Sequence, residues 1–557
     1  MNLHRFKQTA AIAAALLLIS TVTAQEPAGD KVDLDALAQI KHEAYQNSHV
    51  MENLYYISEV YGPRVTNSAN HRAAAEWAMK QMKEWGLQNV HLESWPFGYG
   101  WQIKKFYGAL ETPAYAPIIG FPLAWTPGTN GPITAEAMWA PIHSKDDFPK
   151  YKGKLKGKIV LIYDPAPLKL HTTAEAQPSP SDEEIEARSA SGAPRGGGEG
   201  GGRRGANGAP ADRDPSGRGR PGEGTWEYTP TSLALAEEKN HELRKELNAF
   251  LKEEAPAVVL TPGYNGDGGT IFSTYGGSED PKDPVPPPMV AIAAEQYNRV
   301  VRLLQHGTVP KLTFDVQVEY QKKDTNAFNV VGEIPGTTKA DEVVMVGGHF
   351  DSWQGGTGAT DNGTGSSVAM EAVRILATLH KPMARTVRVA LWGGEEEGVY
   401  GSIAYVQKHF APRDTMVKTP EYDKLDVYFN DDSGSGRFRG VSALGSPQLA
   451  AIFKSWIEPI KDQHIVAVSG GTQFRPTTSP GGTDSSSFTW IGLDGIGFMQ
   501  DPLEYGTRTH HSNMDLYDRV QSGDVMQGSM IEAWFAYNAA TRAEMLPRIE
   551  TPTPVTK

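Results

Sequence analysis

The chain has 557 residues, with 53 Lys+Arg against 66 Asp+Glu, 58 glycines, 39 prolines and no cysteine. Its length suggests about two to four folded units, and a net charge of −13 argues against a nucleic-acid-binding face, which is usually basic. The missing cysteines exclude disulfide scaffolds, thiolate zinc sites, cysteine nucleophiles and lipid-anchoring cysteines together. Any metal site must be built from His, Asp and Glu.

Residues 1–24 read as a signal peptide. Arg5 and Lys7 supply the positive start, Thr9–Val22 is apolar apart from Thr9, Ser20 and Thr21, and Val22-Thr23-Ala24 offers a small-residue cleavage site. The apolar run is shorter than the ~20 residues a spanning helix needs, so export is favoured over a membrane anchor. No later segment holds ~18 uninterrupted apolar residues. The expectation is a periplasmic or secreted protein with no membrane attachment once the signal is removed.

From Asp33 to about Trp101 the pattern is helical. Ala74, Trp77, Ala78, Met82 and Trp85 recur on one helix face, Gly86 ends that helix, and Val90-His91-Leu92-Glu93 reads as a strand. Between about Leu110 and Tyr320 short β runs alternate with Gly and Pro; Gly157–Ile162, Ala257–Leu260 and Met289–Ile292 are buried strands, the last followed by a helix through Leu304. Within this region, 13 of the 33 residues from Gly192 to Gly224 are Gly and four are Pro, without one large apolar side chain. Such a stretch cannot bury enough area to offset the entropy of ordering, and it reads as a solvated loop. From about Asn326, strands alternate with helices: Val343–Gly347, Val387–Trp392, Leu425–Phe429 and Ile496–Met499 have strand length, and Ser366–Leu379 has helical periodicity. The predicted class is α/β, with a mixed, mainly parallel sheet covered by helices on both faces.

In such a sheet ligands bind at the carboxyl ends of the strands. Val343–Gly347 runs into Gly348-His349-Phe350-Asp351-Ser352-Trp353, and a glycine-rich loop then leads to Ala359-Thr360-Asp361-Asn362-Gly363. Val387–Trp392 ends in Gly393-Gly394-Glu395-Glu396-Glu397-Gly398, and Leu425–Phe429 in Asn430-Asp431-Asp432. His510-His511-Ser512-Asn513-Met514-Asp515 stands near the C-terminus. An isolated His-x-Asp or Glu triplet is usually surface. Three adjacent carboxylates after a buried strand, however, repel one another unless a cation compensates.

These five blocks, in this order, resemble the signature of the co-catalytic zinc exopeptidases, the family that holds the bacterial leucyl aminopeptidases and carboxypeptidase Q. The resemblance covers most of residues 50–540, and Gly157–Ile162 with Pro288–Leu304 resembles the protease-associated domain inserted into several members. It implies a phosphorylase/hydrolase-like peptidase fold in two pieces, 25–109 and 323–545, with an inserted β-rich domain at 110–322 and a tail at 546–557. It also implies two zinc ions per chain. His349 and Asp432 would hold one, Glu396 and His511 the other, and Asp361 would bridge them, leaving room for a shared water. Asp351 would accept the second ring N–H of His349, Asp515 would do the same for His511, and Glu395 would be the general base. Asp431 competes with Asp432. His510 stands where some relatives place an oxyanion-stabilising tyrosine, with a structural role as the alternative; Asp484 matches a family block without an assigned role.

The implied activity is hydrolysis of dipeptides or short peptides, closer to carboxypeptidase Q than to the small aminopeptidases. Arg437, Arg439, Arg475 and Arg508 are candidates for holding a free carboxylate. The alternatives are an aminopeptidase, a glutaminyl-peptide cyclase and a non-catalytic receptor-like protein; a homodimer is an open alternative to a monomer. No Gly-x-Ser-x-Gly elbow and no His-Glu-x-x-His helix is present.

Overall fold

A computed structural model describes residues 30–166, 168, 179–190, 241–263, 266–469 and 480–554. The expected signal peptide, the Gly192–Gly224 stretch and Arg475 lie outside the described residues. In chain order the first eight strands are β1 (Gln88–Pro96), β2 (Gly100–Thr112), β3 (Ala116–Pro117), β4 (Gly120–Pro122), β5 (Ile133–Trp139), β6 (Ile159–Leu161), β7 (Val258–Thr261) and β8 (Met289–Ile292). They are followed by β9 (Lys311–Gln321), β10 (Asn326–Ile334), β11 (Lys339–His349), β12 (Arg385–Trp392), β13 (Leu425–Asn430), β14 (Phe438–Ser442), β15 (Ala467–Ser469) and β16 (Gly495–Gln500).

Two eight-stranded sheets result. The first has the order β1-β10-β12-β11-β13-β16-β14-β15, and its central strands β12, β11, β13 and β16 run parallel. The second has the order β3-β2-β9-β5-β6-β7-β8-β4, with β5 to β8 parallel and antiparallel strands at both ends. The second sheet begins at Gly100, ahead of the boundary expected near 110, because β2 is one continuous strand paired along its length with β9.

Strand alternation sorts the central residues between two helical layers. Val344, Val346, Val387, Val389, Val427 and Phe429 join one core with the helices Thr364–Thr378 and Ser522–Thr541, while Met345, Ala390, Trp392 and Tyr428 face the helices Tyr400–His409 and Ser485–Thr489. The Ala69–Glu84 helix is capped by Ser68, whose hydroxyl accepts from the His71 N–H. It buries the expected Ala74, Ala78 and Met82, and Gly86 leaves it with φ near +90°, a conformation glycine adopts without strain.

The Ser522–Thr541 helix is buried on nearly every side from Val525 to Ala540. There Phe535 meets Phe429, Phe453, Trp456 and Phe498 with ring centroids 5.4–5.8 Å apart. Phe535→Ala should therefore cost about 3–5 kcal/mol of stability, read as a lowered denaturant midpoint. A midpoint equal to that of the parent protein would contradict this packing.

Candidate metal centre

Because β11, β12, β13 and β16 are parallel, their carboxyl ends open on the same edge of the sheet. His349 is the last residue of β11, Glu395 and Glu396 follow β12, Asp432 follows β13, and His510 and His511 follow β16. Asp361 comes from the turn Ala359–Gly363 that enters the Thr364–Thr378 helix. The Ser366 hydroxyl at the start of that helix donates to the His349 carbonyl at 2.6 Å, joining strand end and helix start.

The donor atoms fall into two sets that share one carboxylate. His349 Nε2 stands 3.2 Å from Asp361 Oδ1 and 3.3 Å from Asp432 Oδ1. His511 Nε2 stands 2.8 Å from Glu396 Oε2 and 3.5 Å from Asp361 Oδ2. Each oxygen of Asp361 thus addresses a different imidazole. Asp361 and Asp432 with His349 bring ligand atoms within 4.8 Å of one another, and so do Asp361, His510 and His511. Asp361 Oδ2 and Glu396 Oε1 are buried and accept no hydrogen bond from any described residue. Buried carboxylate oxygens left in this way, beside imidazole nitrogens, fit an N/O-ligated divalent cation of the zinc type.

The electrostatics point the same way. Burial alone would lower the His349 pKa, yet Asp432 and Asp361 raise it well above the ordinary imidazole value. Burial, followed by the Asp361 charge, pushes Glu396 well above the usual carboxylate range. Asp432 is raised by burial, against the pull of His349. The pocket thus calls for positive charge at the points where the two donor sets converge.

Asp351 acts differently from expectation. It is the Asp351 carbonyl, at 3.1 Å, that meets His349 Nδ1, which puts the proton on Nδ1 and turns the Nε2 lone pair toward Asp361 and Asp432. The Asp351 carboxylate lies 3.8 Å from that ring and instead accepts the amides of Glu395 and Glu396, each at 3.2 Å. A strand-end glycine turn exposes those amides, and a fixed carboxylate satisfies both. Asp515 likewise turns to Thr360, accepting its N–H at 2.5 Å and its hydroxyl at 2.9 Å, and so steadies the turn carrying Asp361 rather than the His511 ring.

Strand-end alternation separates the two neighbours after β13. Asp432 faces His349, while Asp431 is buried with its charge felt by Glu532 behind the sheet. His510 stacks on His511 with centroids 3.7 Å apart and approaches Asp361 Oδ2 at 3.8 Å. Asp484 is buried, with its pKa pushed up to about 8 by desolvation despite the nearby His349. Glu395 is buried, and its charge acts on both His349 and Glu396.

Three of the arginines proposed to bind a substrate carboxylate have carboxylate partners. Arg437 pairs with Asp524, Arg439 with Asp501 and Asp182, and Arg508 with Glu504. Sequence reading passed over Arg64, which is fully buried beneath the site. Its guanidinium donates to the carbonyls of Phe350, Ile57, Thr357 and Gly358 at 2.7–3.1 Å. Nothing in Gly62-Pro63-Arg64 marks it as more than a turn.

Residues 329–531 match the model of peptidase family M28. The matched segment is just over a third of the chain and carries all five candidate ligands, so this part of the chain is similar to that family. Human carboxypeptidase Q is 29% identical over 283 residues, which is 50% of this chain and 55% of that protein, so the match spans about half of the human protein. The mouse carboxypeptidase Q alignment is 25% identical and covers 90% of this chain and 88% of the relative. Among solved structures, a peptidase M28 precursor from Shewanella amazonensis superposes with a TM-score of 0.60 at 20% identity, covering 93% of this chain and 98% of its own. A zinc aminopeptidase from Bacillus subtilis gives 0.51 at 17%, covering 90% and 97%. These two likenesses concern the fold.

The two carboxylate oxygens of Asp351 serve two amides, so its substitutions should grade. Asp351→Asn keeps one acceptor and should retain more bound metal than Asp351→Ala, measured by elemental analysis after dialysis. Equal metal content in both variants would contradict the amide-acceptor role.

Proposed function

We propose that the protein is a zinc-dependent exopeptidase acting on dipeptides or short peptides, exported from the cell in which it is made. The observation that carries the reading is the division of Asp361 between two imidazole-carboxylate sets. His349, Asp432 and Asp361 would hold one zinc ion, and Glu396, His511 and Asp361 a second. Bound there, zinc would polarise the scissile carbonyl and acidify water. Glu395 takes a proton from the attacking water and returns it to the leaving amine. Asp351 keeps Glu395 in place through its amide, and His510, stacked beside His511, is suited to steady charge developing on the carbonyl oxygen.

The second sheet narrows the approach. Trp125 and Tyr275 from that part pack against Trp353 of the His349 loop, with ring centroids 6.1 and 4.6 Å away. A wall of this kind favours short substrates over folded proteins. The similarity to carboxypeptidase Q supports recognition of a free carboxylate. The pairing of Arg437, Arg439 and Arg508 with acids favours a second reading, release of N-terminal residues, and Aspergillus oryzae probable leucine aminopeptidase 2 is 27% identical over 257 residues.

The purified protein should bind two zinc equivalents and lose activity to chelators; full activity without metal would overturn the mechanism. Glu395→Gln should lower turnover by about 10²–10⁴-fold while keeping both metals. Loss of metal in that variant would exchange the roles of Glu395 and Glu396. A peptide panel with free and blocked termini, read by the bond cut, distinguishes the two substrate readings.

A further inference from the structure

The two donor sets are built from different parts of the chain. The direct partners of His349 and Asp432 come from the first sheet and its loops: the Ser366 hydroxyl binds the His349 carbonyl, the Asp351 carbonyl meets its ring, and Thr483 supports Asp432. Glu396 and His511 are each touched by the second sheet's loop at 266–277. The Tyr275 hydroxyl donates to the Glu396 carbonyl at 3.2 Å, and the Ser273 amide donates to the His511 carbonyl at 3.1 Å.

Those contacts belong to a short antiparallel clasp. Phe272 bridges Ser512 across the two loops, the Asn513 amide donates to the Ile271 carbonyl at 3.2 Å, and the Ile271 amide donates to Asn513 Oδ1 at 2.7 Å. Asn513 Nδ2 then donates to the Gly269 carbonyl at 3.0 Å, so a single side chain holds two backbone groups of the other loop. His511 itself sits at φ near +59°, left-handed backbone that a non-glycine residue holds only where its surroundings impose it. The ring is flanked edge-on by Trp353, which in turn packs on Tyr275 and Trp125.

We propose that the second sheet, through Asn513 and Tyr275, is a positioning element for the Glu396–His511 metal position alone, so that the two zinc ions are held with separately adjustable affinities. The inference rests on the two-metal reading above. Its physical basis is that groups orienting a ligand from outside the coordination sphere set its affinity. Here the second sheet's loop bonds directly to the residues Glu396 and His511, whereas at the other metal position its contacts reach Trp353 and Gln354 of the loop after His349 and not His349 or Asp432 themselves.

The test is zinc titration of the metal-free full-length protein against a chromophoric chelator, with folding checked by circular dichroism. Asn513→Ala should weaken one of the two binding steps by about 10–100-fold and leave the other within about twofold. Tyr275→Phe removes only a hydroxyl, should fold as the parent does, and should weaken the same step. Two unchanged steps, or two steps weakened together, overturn the proposal. Should the parent protein bind fewer than two zinc ions, the two-metal reading fails by itself. The clasp is then decided by hydrogen exchange in the metal-free protein. Faster exchange at residues 509–513 in Asn513→Ala supports the positioning role, and unchanged exchange ends it.

Discussion

The charge of Asp361 is the interaction on which the site depends. Its two oxygens face imidazoles 162 residues apart in the sequence, and it is buried beside the carboxylates of Glu396 and Asp432. A carboxylate in that company is costly unless positive charge reaches it from several sides. Its pKa nevertheless lies below the ordinary carboxylate value, because the surrounding imidazoles outweigh burial. The parallel sheet makes this possible by ending four strands on one edge, where backbone turns deliver short acidic side chains that could not otherwise converge.

Arg64 extends the same logic below the site. Desolvation lowers its pKa to about 10, and the charges of Asp515, Asp351, Asp361 and Glu396 work against that fall, so it stays cationic near neutral pH. Its donors serve carbonyls rather than carboxylates, which leaves the guanidinium charge to act on the whole acidic group through a low-dielectric interior. One residue thereby fixes the Phe350–Gly358 loop and offsets part of the repulsion between the groups above it.

The parts of this arrangement differ in how legible they were. Val343–Gly347, Val387–Trp392 and Leu425–Phe429 stand out as apolar runs because parallel strands are buried on both faces, and β11, β12 and β13 include all three. The candidate ligands stand out because acids and histidines directly after such runs are rare. The Ser522–Thr541 helix was not singled out, since a helix enclosed on all sides carries no polar face to set its period. The choice between the carbonyl and carboxylate of Asp351, and the turning of Asp515 to Thr360, depend on backbone amides that sequence does not display. The roles of Arg64 and Asn513 escape the sequence for a related reason: most of their partners are backbone groups hundreds of residues away, and backbone groups leave no mark in the sequence.

The route of the chain accounts for the reach of the second sheet. The chain leaves the first sheet after β1 at Pro96 and returns in β10 at Asn326, and these two residues are paired neighbours. The pairing continues beyond the sheet, with the amides of Phe97 and Gly98 both donating to the Thr325 carbonyl. An insertion entered and left through adjacent antiparallel strands is held at its base by a ribbon rather than a single linker, which resists sideways displacement but leaves bending about the ribbon. The contacts of the 266–277 loop with Glu396, His511 and Asn513 lie far along the chain from that base and oppose the remaining motion. Two separated attachments are what a rigid body needs to hold a side chain to a fraction of an ångström, and the second of them is made at the candidate metal centre itself.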